Sequence, residues 1–311
     1  MSSFQPAYID TFHKGLLREK IEAAYDILEA CTLCPRLCDV DRLAGEKGVC
    51  KTGEKAFVSS YSPHFGEEAP LVGNKGSGTI FFTHCNLLCI FCQNYDISHE
   101  GHGEETTDEY LAGIMLFLQN AGCHNINFVT PSHVVPQILS AVEIAIKAGL
   151  SVPLVYNCGG YDRVETLKLL DGVFDIYMPD FKFWDPEVAE ASCDARDYPE
   201  VACDALAEMH RQVGDLVMDE SGVARRGVLI RHLVLPQGLA GTRDIMRFIA
   251  HKISTNTYVN IMPQYHPCGR AEEIAALSNY PTKADFELAI QVAKEEGIER
   301  FDERRRVFRL W

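Results

Sequence analysis

Residues 83–94, THCNLLCIFCQN, hold three cysteines, Cys85, Cys89 and Cys92, within eight positions. They follow an apolar run that predicts a β-strand over 78–84. The spacing CxxxCxxC places three thiolates on one tight loop, close enough to hold three corners of a cubane iron-sulfur cluster. A structural zinc site normally takes four protein ligands, and an ordinary 4Fe-4S cluster takes four cysteines. The loop therefore predicts a cluster in which one iron has no protein ligand.

From residue 78 onward, short β-rich runs alternate with helical stretches. We expect strands at 78–84, 125–130, 152–157, 174–179, 227–235 and 258–263. We expect helices at 106–121, 133–149, 162–171, 197–214 and 241–254, the first of which opens with a capping-box pattern from Thr106. This alternation is typical of parallel strands with right-handed crossovers. It predicts an α/β fold, either an open doubly wound sheet or a barrel with fewer than eight units.

The segments on either side of these units predict further structure. Residues 10–30 predict one amphipathic helix that runs into a cysteine-rich loop at 31–50. We expect an extended loop at 180–197, then two helices in the tail from 270, with a solvated basic run at Arg304 to Arg306. The predicted divisions are an N-terminal helical, cysteine-rich extension at 1–76, a barrel at 77–270 and a C-terminal helical extension at 271–311.

Composition bounds the class of protein. Of the 311 residues, 47% are apolar and 23% are charged, which is typical of a globular chain. The formal net charge of −15 disfavours nucleic acid and membranes as partners. The start lacks the features of a signal peptide and no apolar run reaches 18 residues, so we expect a cytoplasmic protein. Twelve cysteines in a reducing compartment favour metal ligands, catalytic groups or core residues over disulfides.

Polar residues come directly after several predicted strands. They are Thr130-Pro131-Ser132-His133, Asn157-Cys158-Gly159-Gly160, Asp180-Phe181-Lys182, Arg231-His232 and Gln264-Tyr265-His266. The carboxyl ends of parallel strands form the active face of such folds, so we expect these residues to converge. Cys158 and Cys268 also fall on this face, where a thiol could give or take a hydrogen atom.

The cysteine loop, with the aromatic Phe91 before its third cysteine, resembles the radical S-adenosylmethionine (SAM) superfamily. Within that superfamily it is similar to the loop of pyruvate formate-lyase activating enzyme and its relatives, and Asn94 and Asp96 match the Asn and Asp of that loop. The whole pattern most resembles an activating-enzyme-like subgroup. An iron without a protein ligand suits the amino and carboxylate groups of SAM.

Further motifs resemble those of activating enzymes, in the same order. Asp180 and Lys182 resemble a DxK motif, Arg231 resembles the arginine that binds the cofactor carboxylate, and His266 resembles the histidine that lies against the adenine. The resemblance implies that the backbone of Phe91, together with Asn94, also contacts the cofactor.

One part of the chain departs from the superfamily pattern. A Gly-Gly-Glu stretch usually follows the second strand and contacts the amino group of SAM, whereas this chain has Thr130, Ser132 and His133 there. We expect oxygens of Thr130 or Ser132 to replace that contact, with Asn157 sharing the role.

The resemblance implies a partial (β/α)6 TIM-type barrel and an oxidoreductase that uses a 4Fe-4S cluster and SAM. Reductive cleavage of SAM would give methionine and a 5′-deoxyadenosyl radical, which would abstract a hydrogen atom from a substrate. The target is a glycine of a glycyl-radical enzyme, or alternatively a small molecule or peptide; a noncatalytic iron-sulfur carrier is a third hypothesis. A low-potential electron donor such as flavodoxin or ferredoxin is the implied partner.

A second array, CTLCPRLCDVDRLAGEKGVC, contains Cys31, Cys34, Cys38 and Cys50. Four thiols suit either a closed zinc site or a fully ligated 4Fe-4S cluster, and the spacing does not choose between them. The stretch also resembles the CxLCPRxC segment of several activating-enzyme-like radical proteins. We therefore expect a second metal site, for which His64 is an alternative ligand.

Overall fold

All six predicted strands form, and they lie side by side in one parallel sheet. The computed structural model describes residues 4–302. Its strands are β1 (Ala56–His64), β2 (Ser77–Phe82), β3 (Glu104–Thr106), β4 (Ile126–Val129), β5 (Leu154–Cys158), β6 (Ile176–Pro179), β7 (Val217–Met218), β8 (Ala224–Leu233), β9 (Tyr258–Met262) and β10 (Arg300–Phe301). The sheet order is β10-β9-β8-β6-β5-β4-β2-β1-β3, with β7 paired to β8. Within the described residues the sheet stays open, which confirms a partial barrel.

The central strands are apolar along their whole length because both of their faces are covered. Every residue of β5 and β6 is buried, as expected for parallel strands between layers of helices. Phe82 of β2 stacks on Phe128 of β4 with ring centroids 6.2 Å apart, and Phe174 packs edge-on against Phe128. The core therefore follows the strands that the apolar runs predict.

The helices are α1 (Ala7–His13), α2 (Leu16–Asp26), α3 (Ala69–Val72), α4 (Tyr95–Ser98), α5 (Asp108–Asn120), α6 (Val135–Lys147), α7 (Val164–Leu169), α8 (Pro186–Cys193), α9 (Tyr198–Val213), α10 (Thr242–Phe248) and α11 (Lys283–Glu295). The five helices predicted between the strands are confirmed as α5, α6, α7, α9 and α10. The cap of α5 is Thr107, whose side chain accepts a hydrogen bond from the Tyr110 amide, so the helix begins later than the Thr106 pattern predicts. Across residues 4–302, no helix combines the length and the apolarity that a membrane span needs.

Two predictions about the segments around the strands are wrong. The single helix at 10–30 is two helices, because Gly15 adopts a left-handed conformation (φ 75°) between α1 and α2. The loop at 180–197 contains α8, whose Asp185 cap and Pro186 start are strong helix signals. Between 270 and 302 the tail forms a short 3-10 helix (Ala271–Glu273), the α-helix α11 and the short strand β10. The prediction of two helices runs to residue 311, outside the described residues, and stays a prediction. The basic run at 304–306 lies outside the described residues.

The N-terminal segment contributes to the sheet, which the sequence did not indicate. β1 pairs antiparallel with β2, and β3 pairs antiparallel with β1. The helix α1 lies at the amino ends of the strands, where the Ala7 amide donates to Asp175 and Tyr8 donates to the Val152 carbonyl. The division at 76/77 stays a prediction, although this pairing ties the two sides of that boundary together.

Candidate active site

The carboxyl ends of the parallel strands open into one cavity of about 400 Å³. Ten of the predicted site residues line it: Cys85, Cys89, Phe91, Cys92, Asn94, Thr130, Asn157, Asp180, Lys182 and Arg231. A larger surface groove of about 790 Å³ runs along α7 and α9, but no thiol lines it. We take the smaller cavity as the candidate active site because it collects the thiols and the buried charges.

Two of the predicted cofactor-binding residues, Ser132 and His266, lie outside this cavity. Thr130 adopts a left-handed conformation (φ 61°) that redirects the chain after β4, and Ser132 is buried beside Asp162. His133 is also buried and its Nε2 lies 2.9 Å from the Thr83 carbonyl oxygen. His266 is exposed, and Gln264 lines the cavity instead.

Two residues of the cysteine loop have left-handed backbones, and the thiols of the loop face the cavity. His84 (φ 69°) and Leu88 (φ 56°) precede Cys85 and Cys89 in the left-handed region, and such residues often concentrate at functional sites. The Leu87 amide donates to the sulfur of Cys85 at 3.3 Å. Burial raises the pKa of Cys85 to about 12.

A fourth thiol, that of Cys193 on α8, contacts the loop. A hydrogen bond with Cys193, followed by burial, raises the pKa of Cys89 well above its usual value. The sequence around Cys193 does not indicate this proximity, because its pattern predicts a loop where α8 forms.

A buried cluster of charges lies opposite the thiols. Arg231 donates from Nε to Oδ1 of Asp180 at 2.6 Å and from Nη2 to Oδ1 of Asn157 at 2.7 Å, and Lys182 contacts the other oxygen of Asp180. Burial raises the pKa of Asp180, but the charges of Arg231 and Lys182 outweigh it and hold that pKa below its usual value. One carboxylate and two cations leave a net positive charge, which suits an anionic ligand group.

The chain is similar to a known protein family and to one archaeal protein. A sequence model described as "Radical SAM superfamily" matches residues 79–222, which include the cysteine loop and the charge cluster up to Lys182. The chain belongs to the radical SAM superfamily. It is also 32% identical over 293 residues to "Uncharacterized protein MJ0674" of Methanocaldococcus jannaschii, a match that covers 92% of this chain and 80% of that protein.

Two solved structures are similar to this radical SAM protein. "Native anSMEcpe with bound AdoMet" is 13% identical with a TM-score of 0.46, and the match covers 70% of this chain and 61% of that chain. "Structure of Cobalamin-dependent S-adenosylmethionine radical enzyme OxsB with aqua-cobalamin and S-adenosylmethionine bound" is 11% identical with a TM-score of 0.39, covering 71% of this chain and 30% of that chain. This chain thus spans less than two thirds of either structure.

Membership of the radical SAM superfamily implies an enzyme that uses a 4Fe-4S cluster and SAM. The residues present fit these groups. Three inward-facing thiols on one loop match the ligand set of a cluster with one open iron, and the positive cluster of Asp180, Lys182 and Arg231 faces the same space. Binding of metal would displace the protons that burial holds on the thiols.

Sequence reasoning missed two acidic residues at the candidate active site: Glu67 lines the cavity, and Glu68 acts electrostatically on Arg231 from outside the lining. The carboxylate of Glu67 lies 3.1 Å from Nδ1 of His64. Glu68 is buried, and burial raises its pKa to about 7 while Asn260 donates to it at 2.8 Å. These residues come from the segment after β1, whose position beside β2 only the fold reveals.

The second array of cysteines forms a separate, smaller cavity. It is lined by Cys31, Cys34, Cys38 and Cys50 together with Leu33, Val40, Arg42, Gly48 and His133. His64, the alternative ligand, lines the candidate active site instead. Among residues 4–302, no group of three or more His, Cys, Asp or Glu side chains is placed to hold one metal ion.

Proposed function

We propose that this protein reductively cleaves SAM to methionine and a 5′-deoxyadenosyl radical, and directs that radical to a hydrogen atom of a bound substrate. The observation that carries the proposal is that three thiols and a buried cationic cluster line one cavity at the carboxyl ends of the strands. When bound to Cys85, Cys89 and Cys92, a 4Fe-4S cluster would supply the electron and the open iron for this reaction.

The cationic cluster is the proposed carboxylate-binding group. Arg231 uses Nε for Asp180 and Nη2 for Asn157, and a guanidinium has five N–H donors in all. The donors that remain can bind the methionine carboxylate of SAM. Asp180 and Asn157 hold the guanidinium plane in position, so that little rotational freedom is lost on binding.

Glu67 and Thr130 are the proposed replacements for the Gly-Gly-Glu contact. Both line the cavity, and a carboxylate or a hydroxyl oxygen can accept a hydrogen bond from the amino group of SAM. Glu67 is 9% exposed in its side chain, so a charged hydrogen bond there is poorly screened by solvent.

Apolar side chains complete the wall and exclude water from the reaction. They include Phe81, Val129, Leu233 and Met262, each at or near the carboxyl end of a strand. Exclusion of water limits side reactions of a reactive intermediate. The cavity is thus suited to radical chemistry on a substrate that enters from its open side.

The proposed target is a glycine of a glycyl-radical enzyme, with flavodoxin or ferredoxin as the electron donor. This proposal rests on the resemblance of the loop from Cys85 to Asp96 to activating enzymes. The test is to mix the reduced, cluster-loaded protein with SAM and a glycyl-radical enzyme encoded in the same genome. A stable organic radical in the electron paramagnetic resonance (EPR) spectrum is expected. Formation of 5′-deoxyadenosine without that radical would instead favour a small molecule or peptide as substrate.

A further inference from the structure

The four cysteines of the N-terminal array enclose a space of their own. Cys31, Cys34, Cys38 and Cys50 line a cavity of about 10 Å³, which is roughly the space of one water-sized sphere. The Val49 amide donates to the sulfur of Cys38 at 3.4 Å. This site shares no cysteine with the cavity proposed to bind SAM.

Arg42 brings an uncompensated positive charge to this space. Its side chain is only 1% exposed. Nε and Nη2 donate to the Gly53 carbonyl, Nη1 donates to the His133 carbonyl, and Nη1 lies 3.8 Å from the sulfur of Cys31. Within residues 4–302 no carboxylate forms an ion pair with it. Burial of an unpaired cation is costly, so a negative charge is expected beside Arg42, and metal-bound thiolates would provide it.

His133 contributes a buried nitrogen without a hydrogen-bond partner to this cavity. Its side chain is buried and lines the cavity. Nε2 lies 2.9 Å from the Thr83 carbonyl oxygen, while Nδ1 has no hydrogen-bond partner among the described residues. Buried polar atoms are nearly always satisfied in native proteins, so an unpartnered nitrogen beside four thiols indicates a missing ligand.

The backbone around the N-terminal cysteines fixes the positions of their thiols. A Cβ atom on Gly48 would lie 2.6 Å from the sulfur of Cys38, so glycine is required there. Leu37 and Asp39, on either side of Cys38, and Lys51, after Cys50, all have left-handed backbones. The loop of Cys85 and Cys89 has the same feature at His84 and Leu88.

We propose that Cys31, Cys34, Cys38 and Cys50 bind a second 4Fe-4S cluster, whose charge Arg42 offsets. The size of the cavity favours a cluster over zinc. Zinc-bound sulfurs lie about 2.3 Å from the ion, which leaves no space between them for a water-sized sphere, whereas the cavity contains such a space. His133 and Thr83 join this centre to the strand end that leads into Cys85.

Metal analysis of full-length protein, purified without oxygen, tests the proposal. The wild type is expected to contain about eight irons per chain, and a Cys31→Ala/Cys34→Ala/Cys38→Ala variant about four. A Cys203→Ala variant is the matched control, because Cys203 lines neither cavity, and it should keep the wild-type iron content.

A complementary variant keeps the test decisive if the first one fails to fold. Cys85→Ala/Cys89→Ala/Cys92→Ala removes the proposed SAM-cleaving cluster and should retain about four irons with a cluster-type Mössbauer spectrum. Zinc in that variant, or the absence of metal, would overturn the second cluster. Either result would leave the proposed function untouched, because that function depends on the cysteines that this variant lacks.

Charge compensation by Arg42 has its own readout. Arg42→Met removes the charge, so the oxidised cluster should become harder to reduce and its reduction potential should fall. Arg42→Lys keeps the charge and should restore most of the potential. Equal potentials in Arg42→Met and the wild type, measured by EPR-monitored titration, would show that Arg42 does not face a charged centre.

Discussion

Arg231 donates a hydrogen bond from Nε to Oδ1 of Asp180 at 2.6 Å, which joins the carboxyl ends of the neighbouring strands β8 and β6. Lys182 contacts the other carboxylate oxygen. Both cations have side chains less than 20% exposed, at 18% and 17%. Asp180 therefore compensates two largely buried positive charges at the proposed cofactor site.

Replacement of Asp180 should destabilise the fold. Asp180→Asn removes the carboxylate that pairs with both Arg231 and Lys182, and loss of one partner in a buried ion pair typically costs about 3–5 kcal/mol. Chemical denaturation of the protein measures this loss. Glu105→Gln breaks the exposed pair with Lys55 and should change stability far less. Equal effects of the two substitutions would contradict the importance of the cluster.

Glu67 should contribute to SAM affinity. Glu67→Gln removes the charge that we propose contacts the amino group, and loss of a charged hydrogen bond should weaken binding about tenfold. Equilibrium dialysis of SAM against cluster-loaded protein is the measurement. Glu187→Gln, at an acid that pairs with Arg196 on the surface, is the control and should bind normally. An unchanged affinity in Glu67→Gln would assign the amino group to another partner.

Phe91 should act through packing and its backbone rather than its ring surface. The ring packs edge-on against Phe183 and Tyr265, with centroids 5.8 and 5.7 Å away, and the thiol of Cys268 donates to the Phe91 carbonyl. Phe91→Ala should lose about 3–5 kcal/mol of stability, whereas Phe91→Leu should lose about 1.5 kcal/mol or less and still bind SAM. Loss of SAM binding in a folded Phe91→Leu variant would mean that the ring itself contacts the cofactor.

Asp175 should make stability depend on pH. It accepts hydrogen bonds from the amides of Ala7 and Leu154, and burial raises its pKa to about 7. Between about pH 4 and pH 7 the folded state therefore binds the proton more tightly than the unfolded state does, so stability falls as the pH rises through this range. Relative to Asp175→Asn, the wild type should lose roughly 2–4 kcal/mol from pH 4 to pH 8.

The unfolding free energy of both proteins across that range checks this expectation. Parallel profiles for the wild type and Asp175→Asn would contradict the raised pKa.

The sequence predicts the central strands because their residues are apolar on both faces. It misses β1 because this strand combines exposed positions with Pro63, and its pairing with β2 is a nonlocal event. The apolar periodicity around Gly15 is typical of the interior of one helix. The left-handed backbone of Gly15 instead separates α1 from α2. The local sequence pattern therefore predicts the strands that are buried along their whole length. It does not predict elements whose conformation depends on pairing with distant parts of the chain.

The same distinction applies to the candidate site. Asp180 and Arg231 are predictable because each lies at a strand end on the active face. Glu67 lines the cavity because it follows β1, and Cys193 contacts Cys89 because it lies on α8, so no local signal marks either residue. Ser132 follows a strand as well, but the left-handed turn at Thr130 directs it away from the cavity.

Anaerobic product analysis tests the proposal that the cavity cleaves SAM reductively. Cluster-loaded protein, dithionite and SAM should yield 5′-deoxyadenosine and methionine. The Cys203→Ala variant should yield the same products, while Cys89→Ala should yield none because one ligand of the proposed cluster is lost. Absence of 5′-deoxyadenosine from wild-type protein that demonstrably carries the cluster at Cys85, Cys89 and Cys92 would contradict the claim and favour a noncatalytic iron-sulfur carrier.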